Sequence, residues 1–181
     1  MSRAFVKEDS NNQPEDLPAR QASGLPNYVT PQGLEKLQRR VEELSAARKP
    51  LAAERSEDPF QRQRLSLLER DLRYYETRLK NSILVDNSGC EAVEVRFGAA
   101  VIVRDDKGIL QEFSIVGEDE ADTETGRISW ASPLASALLG ARAGDRLFWK
   151  RKSGETRLEL VSIRYPLSKK PARWPSDGHI P

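Results

Sequence analysis

The chain has 181 residues, 31% of them charged and 38% hydrophobic, with a formal net charge of +1. That length suits one ordinary domain with an appendage or two small domains, and the balanced charge gives no bulk signal for nucleic-acid binding. One cysteine, Cys90, and one histidine, His179, exclude an internal disulfide framework, a Cys/His metal cluster and a Ser-His-Asp set. The N-terminal MSRAFVKEDSNNQPEDLP has no apolar core of signal-peptide length, and no stretch reaches the ~18 apolar residues of a membrane span. The expectation is a cytoplasmic monomer with no membrane partner.

Residues 1–28 mix Asn, Gln, Pro, Asp and Glu with almost no apolar periodicity, so burial does not offset the entropy of ordering them and a flexible arm is expected. Thr30-Pro31 then supplies an N-cap and a proline at the first helical position. Leu34, Leu37, Val41, Leu44 and Leu51 alternate in threes and fours, with Arg48 at the one seam position that is not apolar. Leu65, Leu68, Leu72, Tyr75 and Leu79 repeat the seam and end near Asn81-Ser82. Facing residues of an antiparallel pair have numbers with a constant sum, and Leu34/Leu79, Leu37/Tyr75, Val41/Leu72 and Leu44/Leu68 obey this. An antiparallel coiled-coil hairpin over 29–86 follows. Its fold-back lies between Ser56 and Glu57, and Arg48 faces Leu65, its stem over the leucine and its head in water. Arms of about 22 residues project the tip on the order of 30 Å. Pro50 deletes a hydrogen bond to Ala46 and is expected to bend the first arm.

From about Cys90 the period changes. VEVRFGAAVIVRD and LQEFSIVG are β-rich runs around the turn Asp105-Asp106-Lys107-Gly108. A polar loop GEDEADTETG follows, then a short strand RISWAS. SPLASALLG reads as a short helix with Ser132 as N-cap, Pro133 at the first position and Gly140 as C-cap. Strands DRLFWKR and TRLELVSIRY close a small antiparallel α+β domain over 90–166. Trp130 and Trp149 fall in strand patterns and are expected in the core or on the sheet face. Residues 167–181 read as a flexible, locally basic tail. There Lys169, Lys170 and Arg173 flank Trp174, either as a solvated group or as a contact to RNA or a protein partner.

YVTPQGLEKL at the helix start, Lys49-Pro50, IVGEDEAD and ISWASPLASALLGARAGD together resemble the Gre transcript-cleavage factors, over roughly residues 28–165. The resemblance implies an FK506-binding-protein-like fold for the α+β domain. It implies docking on the RNA polymerase core through the Ser132-Pro133-Leu134 start of the short helix, with the hairpin in the polymerase secondary channel. The chain is then an accessory transcription elongation factor, not an enzyme, with no cofactor of its own and only indirect contact with nascent RNA and DNA. In the family two tip acids help hold a catalytic Mg²⁺ so that the polymerase cuts extruded RNA. Here Glu54-Arg55-Ser56-Glu57 keeps the acid-x-Ser-acid order, with Glu for Asp and no preceding glycine. Ala131 stands where the family usually has an Asp.

Three readings of function stay open. The hairpin occupies the channel and regulates elongation; or it stimulates cleavage, with Glu54, Glu57 and Asp58 as ligands of a Mg²⁺ shared with the polymerase; or the chain is a regulatory interaction module resembling the nucleoside diphosphate kinase regulator. Against cleavage stands length: counted from Lys49-Pro50 to Val85-Asp86, the hairpin is about one heptad per arm shorter than the family's, a retraction of ~10 Å. Asp58 precedes Pro59 and also reads as the N-cap of the second helix. Glu54 and Glu57 also read as solvated turn residues, and Ser132 and Pro133 as a plain helix start.

Overall fold

The structure, a computed structural model, describes residues 18–54, 56–151 and 154–167. Residues 1–17, Arg55 and the tail with Lys169, Lys170, Arg173, Trp174 and His179 lie outside the described residues. Two compact units are formed, one by the chain up to Leu25 with Lys36–Asn81, the other by Pro26–Glu35 with Ser82 onward.

In the first unit, helix α1 (Pro31–Glu54) and helix α2 (Pro59–Lys80) carry the two heptad runs. Leu37, Leu44 and Leu72 of the seam are buried, and Val41, Leu65, Leu68 and Tyr75 half-buried. Arg48 donates from Nε to Glu69 Oε1 at 2.9 Å, and the Arg40 guanidinium lies 5.8 Å from the Tyr75 ring centre. Residue numbers therefore rise on one arm as they fall on the other, the antiparallel sense expected from the seam. The Arg48 head reaches one turn beyond Leu65 to find a carboxylate. α1 runs through Pro50 to Glu54 as one helix. At the end of the arm read as flexible, Arg20 stacks its guanidinium 4.3 Å from the Tyr74 ring centre and donates to Tyr75 Oη at 3.4 Å. No local pattern signals this order, because it depends on aromatic partners more than fifty positions away.

The second unit begins with a strand that the composition of the arm hid. β1 (Asn27–Val29) pairs in parallel with β2 (Ser82–Leu84), and Val85 N donates to Val29 O at 3.0 Å. Parallel strands need a long crossover between them, and α1 with α2 is that crossover. The chain leaves the second unit and re-enters it at adjacent points.

A five-stranded sheet follows in the order β5-β4-β3-β7-β6, from β3 (Ala100–Asp105), β4 (Leu110–Val116), β5 (Arg127–Ser129), β6 (Arg146–Arg151) and β7 (Gly154–Arg164). Its pairs are antiparallel except β4 with β5, which are parallel. The sheet is thus mostly antiparallel, as expected, with one parallel pair that the sequence did not signal. The loop between them holds two 3₁₀ turns, Glu118–Glu120 and Thr123–Thr125, and works as a short crossover. The expected strand over 93–99 is a turn instead: Val95 exchanges backbone hydrogen bonds with Gly140 and Ala141, both 2.8 Å. Helix α3 (Pro133–Leu138) buries Leu134, Ala135 and Leu138 in one cluster with Val101, Val103, Ile115, Leu158 and Leu160 of the sheet. Trp130 and Trp149 pack on this cluster half-buried, as the strand patterns suggest. Tyr28 meets the Trp130 ring edge-on at 5.0 Å.

One polar contact in this unit joins two distant segments. Glu120 is 5% exposed. Its Oε1 accepts from Thr30 N at 2.9 Å and from Gly117 N at 3.3 Å, and its Oε2 accepts from the Thr30 hydroxyl at 2.5 Å. The Thr30 hydroxyl accepts in turn from Gly33 N at 3.0 Å. Thr30 is thus the N-cap of α1, as expected, and Glu120 plays the part that a Glu at the third helical position plays in a local capping box. Gly33 holds that position, and a Cβ there would overlap the Glu120 carboxyl. A Cβ at Gly117 would likewise overlap the carbonyl oxygen of Tyr28.

Replacing Glu120 by Ala is expected to cost about 3 kcal/mol in denaturant unfolding, because it orphans donors that are screened from water. Gly33→Ala alone is expected to cost about 2 kcal/mol by displacing the carboxylate from charge-assisted hydrogen bonds. In the Glu120→Ala background the Gly33→Ala cost should largely disappear, and Gly33→Glu should recover part of the loss by forming the box locally. Independent, additive costs would refute the coupling. In the helical unit, cysteines in place of Leu37 and Tyr75, with Cys90 removed, should crosslink within one chain on mild oxidation. Crosslinks only between chains on a denaturing gel would show a different pairing.

Candidate functional site

The acidic turn at the end of the hairpin is built by helix-end chemistry. α1 stops at Glu54, and Ser56 Oγ accepts from Asp58 N at 3.1 Å. Asp58 is the N-cap of α2, its Oδ1 accepting from Phe60 N at 3.0 Å, with Pro59 at the first helical position. Arg62 donates from Nη2 to the Glu57 carbonyl at 3.1 Å and closes the turn. Glu54, Glu57 and Asp58 are all exposed. One oxygen of Asp58 is committed to the cap, whereas the Glu54 and Glu57 carboxylates make no hydrogen bond or ion pair among the described residues.

Mg²⁺ demands oxygen ligands in near-octahedral geometry. Among the described residues no three acidic, His or Cys side chains converge into a metal-holding group, so Glu54, Glu57 and Asp58 are not a ligand set by themselves. These acids fit the ion only as additions to ligands from another molecule.

The second candidate is the start of α3. Ser132 Oγ accepts from Ala135 N at 3.2 Å, and its carbonyl accepts from Ser136 N at 2.9 Å. Ala131 and Pro133 are exposed and Ser132 is half-buried. Leu134 is 3% exposed and belongs to the core. It therefore offers no docking contact, which removes it from the expected set. The helix period explains this: the turn that puts Pro133 outward puts Leu134 inward, with Ala135 and Leu138. α3 ends at Leu138 with Leu139 as C-cap, one residue before the expected Gly140, which follows the cap with a φ of 83°.

Sequence reading missed Glu120, which sat in a run of acids taken for a solvated loop, and Phe60, a ring 81% exposed two residues beyond Asp58. The only signal for Glu120 was that its segment, IVGEDEAD, and YVTPQGLEKL both carry the family likeness.

Among the described residues no helix is long and apolar enough to cross a membrane. Residues 91–165 match the family described as Transcription elongation factor, GreA/GreB, C-term. The transcription elongation factor GreB of Neisseria meningitidis serogroup B is 33% identical over 153 residues, 77% of this chain and 94% of that protein. The GreA of Alkalilimnicola ehrlichii is 32% identical over 152 residues, 76% of this chain and 96% of that protein. The crystal structure of GreA factor homolog 1 (Gfh1) of Thermus thermophilus has 24% identity and a TM-score of 0.36, covering 77% of this chain and 99% of that one. In the Neisseria alignment, 77% of this chain's 181 residues is about 139, so about 14 of the 153 aligned positions have no residue here. That shortfall has the length of two heptads. With a third of its residues shared with relatives it matches almost end to end, the chain belongs to the GreA/GreB family of transcription elongation factors.

Proposed function

We propose that this elongation factor binds the RNA polymerase core through the exposed start of α3, at Ser132 and Pro133, and regulates elongation by placing its helical pair in the secondary channel. The observation that carries the reading is the pair itself. Two helices of 24 and 22 residues leave and re-enter the second unit at adjacent parallel strands and end in a turn whose Glu54 and Glu57 carboxylates are exposed and have no partner among the described residues. Such an element suits delivery of a small acidic point into another molecule. The factor acts as an accessory to the polymerase, in the cytoplasm, and meets RNA and DNA inside the elongation complex.

The acid-x-Ser-acid order favours a second reading, cleavage stimulation through a Mg²⁺ held jointly with the polymerase. Identity and reach pull in opposite directions here. Glu54 and Glu57 supply suitable oxygens, but we place the missing residues in the two arms, one heptad in each, which withdraws the turn by ~10 Å. Metal ligation tolerates errors of only tenths of an ångström, and Glu exceeds Asp by one methylene. Occupation of the channel without cleavage is therefore the preferred reading.

Full-length chain is expected to compete with an authentic Gre factor for core polymerase in a binding assay. Pro133→Glu should weaken that competition at least about tenfold, as loss of a central interface contact does. Simultaneous binding of both factors would sink the docking reading. Leu134→Glu is unsuitable as a probe because it buries a charge in the core and unfolds the unit.

On a stalled, backtracked complex the wild-type chain should give little or no RNA cleavage. Inserting one heptad in register in each arm should raise cleavage, whereas lengthening one arm alone shifts the seam and should not. Strong wild-type cleavage, lost in the Glu54→Ala, Glu57→Ala double variant at unchanged polymerase affinity, would reverse the preference.

A further inference from the structure

We infer that the outer face of the β6–β7 hairpin binds single-stranded RNA, using Phe148 with Arg157 as a stacking surface and Arg146 and Lys150 as phosphate contacts. β6 is an edge strand of the sheet, paired among the described residues with β7 alone. Side chains alternate along it: Leu147 and Trp149 pack against the core, and Arg146, Phe148 and Lys150 point the other way and are exposed. Phe148 is 53% exposed, and the guanidinium of Arg157, its cross-strand partner, lies 5.7 Å from the centre of its ring. An aromatic ring beside a guanidinium plane is what unpaired bases stack on.

Charge on this face is not evenly cancelled. Toward the middle of the sheet, cations and acids are matched: Arg104 bonds Glu159 at 3.4 Å and Arg164 bonds Glu112 at 2.5 Å. Glu159 is thus engaged by Arg104, although it also stands opposite Arg146 in the register. Neither Arg146 nor Lys150 makes an ion pair among the described residues, and Glu155, opposite Lys150, is the remaining acid beside them. Cations on an edge strand also discourage edge-to-edge pairing, and this accounts for Arg146 and Lys150 alone. It does not account for Phe148, a ring 53% exposed on the same edge strand, where bare apolar surface is itself a liability for edge-to-edge pairing. A partner with negative charge at regular intervals and flat faces between them satisfies all four residues. An acidic peptide satisfies the cations but leaves the ring and guanidinium without a stacking plane.

The commitment to RNA, rather than DNA, rests on membership of a transcription elongation family and not on the channel reading. The test contains no polymerase, so the two readings fail separately. Fluorescence anisotropy of the full chain with a labelled 12-nucleotide oligouridylate at low salt is the measurement. Phe148→Ala should weaken binding at least about fivefold and Phe148→Trp should retain it, since stacking of one base on an aromatic side chain is worth that much or more. The double variant Arg146→Gln, Lys150→Gln should weaken binding and lower the slope of log K on log salt by about 1.4, two phosphate contacts' worth on a single strand. All three variants change exposed side chains and should melt like wild type. Phe148→Ala binding within twofold of wild type would overturn the inference. So would oligoglutamate of equal charge displacing the RNA with the same dependence on Phe148, which would assign the face to an acidic protein segment. Tenfold tighter binding of the matching oligodeoxythymidylate would assign it to DNA and equally overturn it.

Discussion

The Glu120 carboxylate in the first turn of α1 is the contact on which the two halves of the second unit depend. An α-helix begins with backbone N–H groups that have no partner inside the helix and with the positive end of its dipole. Most helices answer both needs locally, but α1 has no acidic residue in its first turn. The charge comes instead from a residue 90 positions further along, which accepts from Thr30 through both backbone and hydroxyl. Burying a carboxylate is costly unless it is fully hydrogen-bonded, and three donors on two oxygens meet that condition. Two consequences are forced by contact distance alone. The third helical position must be glycine, and the loop that carries Glu120 must approach the Tyr28 carbonyl through Gly117, where any side chain would overlap it. The YVTPQG and IVGEDE segments are therefore complementary parts of one joint.

A similar economy governs the other end of α1. The turn between the arms contains three acids close together, and the helix that follows needs one of them. Asp58 serves as that cap because it precedes Pro59, the residue best suited to a first helical position. Glu54 and Glu57 are left over. Their exposure is a consequence of the turn's geometry and by itself proves no role; the role comes from what the helical pair can reach. The same logic separates Pro133 from Leu134 at the start of α3, where one residue faces solvent and the next lies in the core.

The elements with strong local codes were legible in the sequence. Heptad leucines gave the helical pair and its antiparallel sense, Asp58-Pro59 and Ser132-Pro133 gave two helix starts, and alternation gave β3, β4, β6 and β7. What stayed hidden depends on partners far away in sequence. β1 is three residues long and exists because β2 lies beside it. β5 is equally short, and nothing in RISWAS distinguishes a parallel from an antiparallel neighbour. Glu120 could not be told from Glu118 and Asp119 by composition, because its burial is decided by Thr30 and Gly33. Leu134 was assigned to a docking surface by likeness to a motif, whereas helical periodicity already placed it with Ala135 and Leu138. At the hairpin turn the sequence showed which acids are present, and the cap geometry then removed one of them.

The way the helical pair is inserted also explains how its length can vary by whole heptads. α1 starts from a turn fixed by Glu120, and α2 ends at Asn81, next to a strand that pairs in parallel with the strand preceding α1. None of these contacts involves the far ends of the arms. Removing seven residues from each arm takes out two turns at matching heights, keeps every remaining seam residue opposite its former partner, and leaves the caps untouched. Removing a number that is not a whole multiple of seven would rotate one seam against the other and expose Leu37, Leu44 or Leu72. A shortfall of about 14 residues against the Neisseria relative equals in size the smallest paired deletion that would preserve both the seam and the joint at its base. Under that constraint the reach of the acidic turn changes in steps of ~10 Å, the rise of one heptad. A step of that size exceeds what a longer side chain can make up, so within this architecture arm length is a discrete determinant of what the turn can touch.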